Sequence, residues 1–129
     1  MTKLMAMAME ARERAVAPFS NFTVGAALEA TDGRVFTGCN IENASYGLTM
    51  CAERLAMFKA ISEGAREFLA IAVATGAEKL TPPCGACRQI LWEFGGDLLV
   101  ELGNVAGKFE VVRMGELLPR AFDAGNLDL

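Results

Sequence analysis

Apolar positions in the opening stretch of the chain recur at helical intervals: Leu4, Met5, Ala8, Met9 and Val16 fall near one side of a 3.6-residue repeat, and Pro18 cannot continue it. The pattern predicts a helix over residues 2–16. Over residues 22–38 the text changes to FTVGAALEATDGRVFTG, two short strand-like runs around Asp32-Gly33, a dipeptide suited to a tight hairpin turn. These strands should pair antiparallel. A second helical pattern covers residues 51–63, with Leu55, Phe58, Ala60 and Ile61 on or near one face and Gly64 placed to cap it. FLAIAVAT, residues 68–75, is an unbroken apolar run of strand length and suits a central strand covered on both faces. Pro82 and Pro83 lead into a helix over residues 85–94 that Gly95-Gly96 closes. Strands are expected at 98–102 and 109–114, and a short helical turn at 115–118.

Strands alternating with helices after a hairpin are the order of an α/β fold with helices packed on a sheet. The length, 129 residues, suits one domain large enough to bury a core, and no internal repeat, linker or low-complexity segment divides it. A single domain over residues 1–129 is therefore expected.

Composition narrows the partners. Apolar residues make up 53% of the chain and charged residues 22%, far from the signature of disorder. The net charge of -4 argues against a protein that tracks phosphate backbones, so no nucleic-acid partner is expected. The apolar run before Glu10 is too short for a signal peptide or a membrane span, which points to a cytoplasmic protein with no membrane partner. Four cysteines in such a chain are expected to hold metal or stay reduced.

Candidate chemistry centres on TMCAERLAMFKA, residues 49–60, and PCGACRQ, residues 83–89. Cys51, Cys84 and Cys87 each stand where a helix begins, and free N–H groups with the positive end of a helix dipole stabilise the thiolates that bind metal. Cys84 and Cys87 can reach one tetrahedral ion from a single turn, Cys51 can supply a third sulfur, and one position stays open for water. Cys-x-x-Cys also marks redox dithiols and structural zinc sites. Cys39 would close such a structural site as a fourth ligand, although its place at a strand end suits a small buried hydrophobe. Glu53 separates the readings, because a structural site has no use for a carboxylate two residues from a ligand, whereas a metal-activated water does. The chain has no histidine, so metal and Glu53 together would carry its proton chemistry. Arg54 and Arg88 follow the cysteine motifs directly, and an arginine donating to the sulfurs would restore the electrophilicity that three thiolates remove.

With those residues in view, APFSNFTVGAAL, GCNIENASYG, CAERLAMFKA, PCGACRQ and ELLPRAF resemble, in order and spacing, the small zinc-dependent cytidine deaminases of pyrimidine salvage. Cys51 as the first ligand resembles the all-cysteine, typically homotetrameric branch. The resemblance implies a three-layer α-β-α fold around a five-stranded mixed sheet. It also implies one Zn2+ per subunit on Cys51, Cys84 and Cys87, and hydrolytic deamination of cytidine and 2'-deoxycytidine to uridine and 2'-deoxyuridine plus ammonia. Glu53 would protonate the ring nitrogen and then the departing ammonia. Asn40 and Glu42 would hydrogen-bond the ribose hydroxyl, Phe22 would pack on the base, and the backbone of Ala52 would face the pyrimidine edge. Arg54 would support the zinc sulfurs, and Tyr46 and Phe122 would lie at subunit interfaces, with Phe122 reaching a neighbour's active site. Two rivals stay open: a deaminase of a cytosine-containing antibiotic nucleoside, and a non-catalytic structural zinc module.

Overall fold

Thr2 starts the first helix by accepting a hydrogen bond from Met5 N–H on its hydroxyl at 2.9 Å, and α1 runs Lys3–Arg12. The structure, a computed structural model, describes residues 1–127. The helix stops short of Val16 because the backbone there is committed elsewhere. Val16 N–H donates to Asn40 O at 2.9 Å and Val16 O accepts from Glu42 N–H at 2.8 Å, a parallel bridge centred on Ile41. A pairing across more than twenty residues is invisible to helical periodicity, which is why residues 13–16 read as helix.

The hairpin forms as expected from β1, Val24–Ala30, and β2, Val35–Cys39, paired antiparallel with Gly25 opposite Cys39. Gly33 takes the positive φ of 91° that the turn requires. Then follow α2, Ala52–Ser62; β3, Phe68–Thr75; α3, Gly85–Gly95; β4, Leu99–Asn104; β5, Phe109–Arg113; and a single turn, α4, Met114–Leu117. The sheet order is β2-β1-β3-β4-β5, and among the described residues only the β3–β4 pair is parallel, so the sheet is mixed.

Strand alternation divides the core into two halves. Ala26, Leu28, Ile71, Val73, Val100 and Leu102 cluster with Ala56, Met57 and Leu91 from α2 and α3. Ala27, Ala70, Ala72 and Ala74 cluster instead with Leu4, Met5 and Ala8 of α1. The result is the expected three-layer α-β-α fold around a five-stranded mixed sheet. Among the described residues no helix is long and apolar enough to cross a membrane.

Two glycines set how closely helices approach the hairpin. A Cβ on Gly25 would lie 2.0 Å from Ala8 O, and one on Gly38 would lie 2.4 Å from Ala52 O and 2.8 Å from Ala56 N. These are backbone atoms and cannot rotate away. Gly38→Ala is expected to push the start of α2 off the sheet at about 1–3 kcal/mol, the usual cost of overpacking. A urea midpoint equal to that of the unaltered chain would contradict this close approach.

Candidate metal centre

Two helix starts converge on one point. Cys51 is the N-cap of α2 and Cys84 the N-cap of α3, both with extended backbone, and Cys87 lies fully buried in the first turn of α3. Their Sγ atoms lie within 4.8 Å of one another. Each approach is held by backbone. Met50 exchanges two hydrogen bonds with Ile41, both 2.9 Å, immediately before Cys51. Arg88 Nε donates to Pro83 O at 2.7 Å just before Cys84, while its Nη1 donates to Leu117 O at 2.8 Å. Arg88 therefore fastens a loop and α4, and it reaches carbonyls instead of a sulfur.

Arg54 does reach the cluster: its Nη2 donates to Cys51 Sγ and to Thr49 O, each at 3.4 Å. Among the described residues its Nε is buried without a partner. The Cys87 thiol donates to Cys51, and that bond, with Arg54 behind it, pulls the Cys51 thiol down to about 5. The same bond, with burial, holds the proton on Cys87 and pushes its pKa well up. The pair thus shares a proton that a metal must displace.

The donor set fits zinc. Four-coordinate zinc with Zn–S near 2.3 Å needs sulfurs about 3.8 Å apart, compatible with this cluster, and a thiolate is already favoured within it. Cys39 ends β2 opposite Gly25, half-buried, and is not part of the cluster among the described residues. Without a fourth sulfur, one coordination position remains for water or substrate.

That position adjoins a cavity of about 200 Å³ lined by Phe22, Asn40, Cys51, Ala52, Glu53 and Cys84, among others. Glu53, in the first turn of α2, is only 5% exposed. Burial pushes its carboxyl up to about 7, and the negative charge on Cys51 adds to the rise. A raised folded pKa stabilises the metal-free fold below the ordinary value of 4.5, and the contribution is lost as pH climbs through about 7. The metal-free chain is expected to lose roughly 3 kcal/mol relative to its Glu53→Gln variant over that window, read from denaturant midpoints of both. A pH-independent difference between the two would contradict a proton-holding carboxyl.

The remaining residues singled out from sequence divide between cavity and surroundings. Asn40 lines the cavity, yet both ends of its amide work within the chain: Oδ1 accepts from Val24 N–H at 2.8 Å and Nδ2 donates to Phe22 O at 2.7 Å. Ala52 and Phe22 line the same cavity. Glu42 lies in an adjoining cleft with Phe19, Ser20, Tyr46 and Thr49, and Thr49 borders both spaces. Tyr46 is 75% exposed and meets the Phe19 ring edge-on at 5.8 Å. Phe122 is 61% exposed, its carbonyl accepting from Gln89 Nε2 at 2.8 Å, and it lines neither space. Sequence reasoning missed Ser20 and Thr49, small polar loop residues that no pattern distinguishes.

Comparison with known proteins agrees with this architecture. A model of the family described as "Cytidine and deoxycytidylate deaminase zinc-binding region" matches residues 1–101. A cytidine deaminase of Halalkalibacterium halodurans is 52% identical over 126 residues, covering 97% of this chain and 96% of the relative. One from Sporosarcina psychrophila is 50% identical over 126 residues, covering 97% and 93%. A crystal structure of cytidine deaminase from Burkholderia pseudomallei superposes with a TM-score of 0.90 at 53% identity, covering 95% of this chain and 100% of that one. With a zinc-binding deaminase region over most of its length and a cysteine trio able to hold the ion, the chain belongs to the cytidine and deoxycytidylate deaminase family.

Proposed function

We propose that the protein is a zinc-dependent hydrolase that converts cytidine and 2'-deoxycytidine, with water, to uridine and 2'-deoxyuridine plus ammonia. The observation that carries this reading is Glu53: a buried carboxyl with its pKa raised to about 7, lining a cavity beside three cysteine sulfurs. When bound, zinc supplies Lewis-acid activation of water, bringing its pKa toward neutrality.

The chain's residues do the rest. Glu53 takes a proton from the attacking water, delivers it to the ring nitrogen beside the carbon under attack, and then moves the second water proton to the amine as it leaves. One water is consumed and one ammonia released, and Glu53 ends as it began. A pKa near neutrality suits a group that must both accept and donate. Phe22 forms a wall against the base, and the Ala52 backbone faces the pyrimidine edge. Asn40, clamped between Val24 and Phe22, offers its remaining lone pair or N–H toward the sugar. Glu42 accepts from a sugar hydroxyl. Arg54 draws charge from the Cys51 sulfur.

The chain acts as a single domain, assembled as a cytoplasmic homotetramer. Exposed Tyr46 and Phe122 lie at its interfaces, with Phe122 reaching a neighbour's site. An acidic residue on the sugar side favours an ordinary nucleoside with a free hydroxyl over a modified antibiotic nucleoside. Loss of the exocyclic amine changes the near-ultraviolet absorbance of cytidine, so purified zinc-replete protein is expected to give a steady fall with equimolar ammonia. Zinc-loaded protein inert toward both nucleosides would refute the reading.

A further inference from the structure

One loop of the molecule is organised around a side chain outside the metal centre. The Glu42 carboxylate is gripped by residues 19 and 20: Oε1 accepts from Phe19 N–H at 2.9 Å and from Ser20 N–H at 3.1 Å, and Oε2 accepts from the Ser20 hydroxyl. That hydroxyl also accepts, from Phe22 N–H at 3.0 Å. The loop is built for this. Asn21 takes the left-handed backbone, φ 58°, that Asn tolerates better than most residues, and its N–H donates to Ala17 O at 3.0 Å. Glu42 N–H is itself anchored on Val16 O at 2.8 Å.

An ionised carboxylate offers about four acceptor positions. Two on Oε1 and one on Oε2 are filled from within the chain, so the vacant one belongs to Oε2, the oxygen whose direction the Ser20 hydroxyl sets. Neither the cavity nor the adjoining cleft is lined by Lys or Arg among the described residues. The charge of Glu42 is therefore held by N–H and O–H dipoles, chiefly the Ser20 hydroxyl, which keep its carboxyl below the usual carboxylate range. The same hydroxyl links Glu42 to Phe22, the aromatic that lines the cavity.

We propose that Ser20 is a positioning residue for the deamination: its hydroxyl aims Glu42 Oε2 at a hydroxyl of the nucleoside sugar and ties that oxygen to the backbone of Phe22 beside the base. The proposal rests on the reading of Glu42 as the acceptor of a sugar hydroxyl. It assigns Ser20 to substrate binding through the sugar and gives it no part in proton transfer.

The test compares cytidine with 2',3'-dideoxycytidine, which lacks both ring hydroxyls of the sugar, in Ser20→Ala, Ser20→Thr and Glu42→Gln, each checked for zinc content. Ser20→Ala is expected to raise KM for cytidine about 10-fold with kcat within about twofold, the scale of weakening one charge-assisted hydrogen bond. With the dideoxynucleoside its KM should match that of the unaltered chain, and Ser20→Thr should restore most of the cytidine affinity. An equal penalty on both substrates would make Ser20 a loop-stabilising residue and overturn the proposal, as would an unchanged KM for cytidine. Glu42→Gln separates the two levels. If it raises KM selectively for cytidine while Ser20→Ala does not, the proposal alone fails; if it shows no such selectivity, the sugar reading of Glu42 fails and the proposal with it.

Discussion

Glu53→Gln is expected to retain its zinc and lose turnover by several orders of magnitude. Gln has nearly the same shape as Glu and should fit the same nearly closed space, where Glu53 is 5% exposed, so the cysteine cluster should keep its geometry. What disappears is the group that carries protons. A single positioned acid or base contributes roughly 10²- to 10⁴-fold, and Glu53 is assigned two transfers, so the loss should reach the upper part of that range or exceed it. The chain has no histidine to substitute at neutral pH. Zinc content by metal analysis and kcat on one preparation decide the matter. Full zinc with turnover within tenfold of the unaltered chain would remove Glu53 from the chemistry.

The second large effect concerns the sulfurs. Cys87→Ala should weaken zinc binding by about 10²- to 10³-fold and remove activity with it, since apparent zinc free energies of about 10–16 kcal/mol for sites with four protein ligands come to roughly 2.5–4 kcal/mol per ligand. Removing Cys87 also takes away the hydrogen bond that most favours the Cys51 thiolate, so Cys51 keeps the proton the pair had shared and zinc must still displace it. Cys39→Ala supplies the contrast. Standing outside the cluster, it should leave zinc affinity unchanged. Competition with a chromophoric chelator measures both, and equal losses in the two variants would mean that Cys39 is a ligand.

Much of this site is legible in the sequence because its chemistry is local. Cys84 and Cys87 share one turn, and all three cysteines sit at helix starts announced by Pro82-Pro83 and by the apolar spacing after residue 51. Glu53 stands two residues from Cys51 in the text and lines the same cavity in space. The hairpin strands follow from the Asp32-Gly33 turn and the central strand from the unbroken apolar run FLAIAVAT. What sequence reading misses depends on long-range pairing. Val16 is drawn out of α1 by Asn40 and Glu42. Asn40 also clamps Val24 and Phe22 through the two ends of its amide, a buried arrangement that no spacing reveals. Arg88, adjacent to Cys87 in sequence, points its donors at Pro83 and Leu117. Ser20 reads as one polar loop residue among several until the fold brings Glu42 onto it.

The central claim is that one zinc on three cysteines, served by Glu53, performs the deamination. Its most direct test is stepwise reloading of metal-free protein with zinc while cytidine turnover is followed by absorbance. Turnover absent without metal, rising in proportion to bound zinc and levelling at one ion per chain, is the predicted result. Turnover that persists in metal-free protein, or a fully loaded chain that leaves cytidine and deoxycytidine intact, would contradict the account.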